Sequence, residues 1–217
     1  MASLVRDVMT CNVVAVRKEA EFKEIIEVMR RRRISAFPVL DAGDRVIGVV
    51  SEADLLLREA YPARPAASRP ERRRLVPAKA RAMTAAELMT SPAVTITAEA
   101  TVTEAARMMH SRRIKRLPVV DGAGRLTGLV SRVDLLGVYD RPDADMRSEI
   151  TERVIAGNFV LGPDMFAVTV SGGVVTVSGK VELQATALSL LEAVWDVAGV
   201  VAVRDRLSYP PAGSAPE

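Results

Sequence analysis

Cysteine and histidine are almost missing from this chain: among 217 residues there is one of each, Cys11 and His110. A chain so poor in both has no internal disulfide, no Cys/His zinc site, and no Ser-His-Asp or Cys-His-Asn triad with any redundancy. Long hydrophobic runs are missing too. No apolar stretch approaches the roughly 18 to 20 residues that span a bilayer, and Arg6 and Asp7 interrupt the apolar start, so neither a membrane span nor a signal peptide is expected. The expected compartment is the cytoplasm. Paired carboxylates in one motif, a base beside a nucleophile and a metal-ligand set are also lacking, so no catalytic residue and no metal ligand is assigned and no enzyme activity is expected.

Apolar residues, by contrast, are abundant. They make up 49% of the sequence against 26% charged residues, and no segment is starved of Val, Ile and Leu, which excludes global disorder. The length suits one large or two small domains, each with its own core. The 30 basic and 27 acidic residues are unevenly spread. Residues 1–57 carry 9 of each sign and residues 83–146 carry 8 of each, whereas residues 58–82 hold eight cations against Glu59 and Glu71. The basicity therefore describes one Pro/Arg-rich linker and not a folded nucleic-acid-binding face, so nucleic acid is not an expected partner.

The dominant feature is an internal repeat. Asp7 to Leu56 aligns without a gap on Glu87 to Leu136, at an offset of 80, with about 20 of the 50 pairs identical. Matching pairs include Met9/Met89, Thr10/Thr90, Arg33/Arg113, Pro38/Pro118, Asp41/Asp121, Gly48/Gly128, Ser51/Ser131 and Asp54/Asp134. Repetition of this kind means one supersecondary unit made twice, each burying a face against the other.

Within each copy, apolar positions at helical spacing (Phe22, Ile25, Ile26, Met29; Val102, Ala105, Ala106, Met109) predict a helix, which in the second copy opens on a Thr101–Glu104 capping box. Two β-branched segments around a polar turn follow, Phe37–Leu40 with Val46–Val50 and Leu117–Val120 with Leu126–Val130. A second helix opens at Ser51 or Ser131. With short strands at Val13–Val16 and Val94–Thr97, the order is β-α-β-β-α in each copy. Ser-x-x-Asp has two readings here: an acidic capping box, or an anion site at a helix start.

This order, with its Met-Thr start, hydrophobic-Pro-Val strand and Gly-hydrophobic-x-Ser-x-x-Asp end, resembles the cystathionine β-synthase (CBS) domain, with repeats at 4–57 and 84–138. The resemblance implies an α+β fold in which the two repeats pack through their sheets as one module and pair again into a homodimer. It also implies a regulatory sensor that binds AMP, ADP or ATP between the repeats, with S-adenosylmethionine or NAD as second-rank candidates and no required cofactor. Carried over residue by residue, Ser51, Asp54, Ser131, Arg132 and Asp134 are ribose and phosphate candidates. Ala36, Phe37, Pro38, Arg116, Leu117 and Pro118 would line an adenine slot. Arg112, Arg113 and Lys115, near the second cleft, would add phosphate charge, so the Asp134 cleft is the favoured one. Neither Asp is preceded by the second Ser or Thr common in nucleotide-binding relatives; Ala53 and Val133 stand there.

The linker, 58–82, holds Arg72, Arg73 and Arg74 among prolines and reads as a solvated connector. Beyond Pro142 a helix (146–156), a hairpin around Gly172-Gly173, a second helix from Glu182 and a last strand are expected, with Leu188, Leu191, Val194 and Trp195 on one apolar side. This α-β-β-α-β order resembles the BON domain over 148–209, which implies contact with a membrane surface or protein partner; residues 210–217 are expected as a disordered tail. Two functions follow from these resemblances: a nucleotide sensor passing occupancy to the BON domain or a partner, or a ligand-free dimeric adaptor attached to envelope lipid or nucleic acid through the BON domain and basic linker.

Overall fold

A computed structural model describes residues 3–61, 78–159 and 166–209. Most of the linker and the expected tail lie outside the described residues. The elements in order are α1 (Val5–Val8), β1 (Val16–Arg17), α2 (Phe22–Arg32), β2 (Ala36–Leu40), β3 (Val46–Ser51), α3 (Glu52–Ala60), a 3-10 turn (Ala78–Arg81), α4 (Ala85–Leu88), α5 (Val102–Ser111), β4 (Arg116–Val120), β5 (Leu126–Ser131) and α6 (Arg132–Leu136). Then come α7 (Asp143–Glu149) with a π-helical continuation (Ile150–Asn158), β6 (Phe166–Ser171), β7 (Val174–Lys180), α8 (Gln184–Trp195) and β8 (Ala202–Ser208).

The two hairpins are the same object built twice. Ala36 pairs with Ser51 and Leu40 with Val46, and 80 residues later Arg116 pairs with Ser131 and Val120 with Leu126, with a bulge at the matching position in each. Alternation along β2 sends Phe37 and Val39 into the core under α2, with Ile25, Met29 and Val50, and turns Ala36 and Pro38 to the other face. Burying Phe37 alone contributes about 1.5–3 kcal/mol. The leading strands are shorter than expected. β1 spans two residues, and its counterpart is the single bridge Ile96–Val119, because the preceding segments leave the sheet early.

Those leading segments cross over. Thr90, which opens the second repeat, exchanges backbone hydrogen bonds with Val49 of the first, and Thr10 exchanges them with Leu129 of the second. Gly48 and Gly128 sit beneath these crossings: a methyl group on Gly48 would strike the Met89 side chain from Sδ to Cβ, and one on Gly128 would strike Met9 Sδ. α4, although its sequence belongs to the second copy, places Ala85 and Leu88 in the first copy's core. Both ends of the expected linker are likewise folded. Arg58 lies in α3 with its guanidinium 4.6 Å from the Phe22 ring centre and donates to the Ala82 carbonyl at 3.1 Å, and Ala80 and Ala82 are buried because their side chains are small enough to fit under α3.

The chain divides into two compact units, one of residues 9–100 and 104–131, the other of residues 1–8, 101–103 and 132–217. In the second unit β7 lies between antiparallel β6 and parallel β8. Asp143 at the start of α7 accepts the backbone N–H groups of Gly172 and Gly173 at 2.7 and 2.9 Å, which ties the helix to the hairpin turn. The core takes Ala187, Leu190 and Val194 from α8. The expected apolar side is therefore corrected. Leu188 and Trp195 lie about a quarter turn around the helix, and Trp195 is 53% exposed.

The hairpin turns carry matched carboxylates. Asp41 Oδ1 accepts the N–H groups of Gly43 (2.8 Å) and Arg45 (3.0 Å), and Asp121 Oδ1 those of Ala123 and Arg125 (both 2.9 Å). The Arg45 and Arg125 backbone bonds, foremost, hold both carboxyls below their ordinary value of 3.8. Their contribution to stability is full above that value and is lost as pH falls through the lowered one. Asp41→Asn with Asp121→Asn, which keeps the acceptor and removes the charge, is expected to flatten the acid limb of the stability profile below pH about 4, read by urea unfolding across pH. Gly48→Ala is expected to destabilise by about 1–3 kcal/mol. Adding Met89→Ala should recover part of that loss, a non-additivity that a double-mutant cycle in denaturant measures.

Candidate functional site

A cleft of about 510 Å³ opens in the first unit, within the roughly 300–1,000 Å³ typical of small-molecule sites. Residues of both repeats line it. The first supplies Ser35, Ala36, Val49, Ser51, Glu52 and Asp54. From the second come Thr90, the Pro92–Val94 stretch, Arg113, Ile114, Lys115 and Arg116. The lining combines apolar side chains (Val49, Val94, Ile114) with carboxylates, hydroxyls and cations.

Each polar group is positioned by its element. Ser51 ends β3 in extended backbone and begins α3, so its N–H and Oγ–H both reach Asp54 Oδ2, at 2.9 and 2.7 Å, in a capping box. The capping reading of this Ser-x-x-Asp is thus realised, and it leaves Oδ1 as the carboxylate's second acceptor. That oxygen takes Lys79 Nζ at 2.5 Å, and the same ammonium donates to Thr90 Oγ1 at 2.9 Å. Lys79 and Asp54 are only 27% and 13% exposed, so the pair is shielded well beyond a surface ion pair. Arg113 caps α5 with φ +55°, a left-handed conformation that its counterpart Arg33 shares at +52°. The turn swings the chain from the helix axis and presents residues 113–116 to the cleft. Arg116 donates to the Ala36 carbonyl (3.2 Å) and Ser35 Oγ (3.0 Å), pinning the start of β4 to that of β2.

Several sequence assignments change in this light. Arg113, Lys115 and Arg116 line the cleft that contains Asp54 rather than one built on Asp134, because cations from one repeat face the motif of the other. Phe37 and Leu117 are core residues turned away by strand alternation, so the adenine-slot assignment fails for both. Pro38 and Pro118 are buried opposite Val49 and Leu129 and do not line this cleft, which keeps Ala36 and Arg116 from that set. Arg112 is exposed and off the wall. Ser131 ends β5 opposite Arg116, and Arg132 and Asp134 lie in the first turn of α6; none of the three lines this cleft.

Two groups joined to Asp54 lie outside the residues assigned from sequence, Lys79 and, through it, Thr90. Thr90 carried a signal as half of the repeated Met-Thr pair. Lys79 is the lone lysine of the 58–82 stretch, a weak sign of a role distinct from its arginines.

Comparison with known proteins matches the CBS domain model to residues 5–60 and 85–141 and the BON domain model to residues 142–211. The chain belongs to the CBS-domain family and carries a C-terminal BON domain. Its CBS pair is 27% identical over 137 residues to an inosine-5'-monophosphate dehydrogenase of Nitrosopumilus maritimus, an alignment spanning 63% of this chain and 24% of the dehydrogenase. An uncharacterised protein of Methanopyrus kandleri is 28% identical over 61% of this chain and 58% of its own length. The chain thus spans from about a quarter to somewhat over half of these two relatives. Among solved structures, CBSX2 in complex with AMP superposes with a TM-score of 0.54 at 25% identity, covering 62% of this chain and 95% of that one. The CBS domain pair of MJ0100, in complex with 5'-methylthioadenosine and S-adenosyl-L-methionine, shares the fold at TM-score 0.52 and 20% identity, over 63% of this chain and 99% of that one.

The left-handed C-cap gives a test of position against charge. Arg113→Gly suits the backbone better and is expected to raise stability by up to about 1 kcal/mol in thermal or urea unfolding, although it removes a cation from the cleft wall.

Proposed function

We propose that this protein is a non-catalytic regulatory module whose CBS pair binds an adenine nucleotide of the AMP, ADP or ATP class in the Asp54 cleft and passes occupancy to the BON domain or a protein partner. The observation that carries this reading is the cleft's composition. Its apolar side chains suit a base, the Asp54 carboxylate suits a ribose diol, and Arg113 and Lys115 suit a phosphate. The start of α3 at Ser51 adds the positive end of a helix dipole. The superposition with AMP-bound CBSX2 supports the same ligand class. Occupancy acts as a population shift: a ligand touching both repeats favours whichever arrangement gives it more contacts. We assign the working form to a homodimer assembled through the CBS module, and a role at a membrane surface or protein partner to the BON domain. Among the described residues no helix is long and apolar enough to cross a membrane.

A second reading is favoured by one specific observation: both oxygens of Asp54 are already engaged, by Ser51 and by Lys79. On this reading the motif is structural and the module is a ligand-free adaptor. Calorimetric titration with AMP, ADP, ATP, NAD and S-adenosylmethionine, paired with thermal shift, separates the two. The sensor gives binding heat and a higher Tm with at least one phosphate-bearing ligand, and Asp54→Ala abolishes both. Silence with all five ligands leaves the adaptor.

A further inference from the structure

We infer that Lys79 is the residue that makes this cleft select phosphate-bearing ligands over bare nucleosides, by exchanging one anion for another. The inference rests on the nucleotide reading of the cleft given above. Lys79 comes from the short 3-10 turn ahead of the second repeat, outside both matched CBS segments, and its ammonium bridges Asp54 Oδ1 and Thr90 Oγ1, two groups of the cleft wall. Ser51 fills both acceptor sites of Oδ2 with its N–H and Oγ–H, so a ribose diol at this carboxylate is left with Oδ1, the oxygen that Lys79 holds. A nucleoside that takes this oxygen competes with the ammonium of a shielded ion pair, and displacing it leaves a partly desolvated ammonium without its counter-ion, a loss of charge-assisted bonding. A nucleotide carries its own replacement. Asp54 lies in the first turn of α3, so a phosphate at that helix start lies close to the same lysine, whose flexible four-carbon stem transfers the ammonium from carboxylate to phosphate. The folded return of the chain makes the arrangement reproducible: Arg58 holds Ala82, three residues beyond Lys79, against α3.

The test is calorimetric titration of the full chain with adenosine, AMP and ATP, run on the wild type, Lys79→Met, Lys79→Gln and Lys79→Arg. The wild type is expected to bind AMP and ATP more tightly than adenosine. In Lys79→Met that preference should fall about tenfold, the equivalent of one charge-assisted contact, with adenosine binding as well as or better than before. Lys79→Gln keeps a donor for Asp54, which guards the fold, and should lose the preference likewise, whereas Lys79→Arg should retain it. An unchanged AMP-to-adenosine ratio in the Met and Gln variants, or an equal loss for both ligands, overturns the inference while leaving the cleft a nucleotide site. If the wild type binds none of the three, the nucleotide reading falls and takes this inference with it.

Discussion

The fold of the CBS pair depends on two glycines over which another part of the chain must pass. Gly48 and Gly128 lie in the second strand of each hairpin, and Met89 and Met9 cross them closely enough that even one methyl group would collide. The crossing lets Thr90 and Thr10 exchange backbone hydrogen bonds with Val49 and Leu129, so each opening segment satisfies its polar groups on the opposite copy. A duplicated unit held in this way is reciprocal. Neither copy completes its own sheet edge, and the cleft takes one wall from each as a direct result.

That reciprocity decides the electrostatics of the cleft. Ser35 and Ala36 of its own repeat bring the Asp54 site no charge, and a site built from one repeat alone would lack the cations at 113–116. The exchange instead sets the carboxylate of one copy against the arginines and lysine of the other. Asp54 is stabilised locally by the helix start it caps and at longer range by Lys79, which arrives from sequence between the repeats. The cap occupies Oδ2 and fixes the carboxylate's orientation, and the second oxygen is held by Lys79.

The BON unit is governed by ordinary core packing. Ala187, Leu190 and Val194 fall on one line of α8 and enter the core, and Trp195, one residue beyond that line, emerges into solvent. A residue's bulk and hydrophobicity did not decide its place; its angle on the helix did. The same holds in the sheets, where Phe37 and Leu117 sit beside cleft residues in sequence but on the opposite face. Strand and helix periods were readable, yet which line of each period faced the core required knowing what covered the other.

Periodicity, turn chemistry and the offset of 80 by themselves determined the duplicated β-α-β-β-α unit, its hairpins and the α-β-β-α-β unit that follows, because each rests on contacts between residues a few positions apart. Only the tertiary structure decided that Met89 belongs over Gly48, that the 113–116 cations serve Asp54, and that Lys79 closes the carboxylate's free oxygen. Those contacts join residues 25 to 62 positions apart through packing and charge pairing, and the strength of such a pairing is set by mutual burial, which no local pattern of side chains encodes.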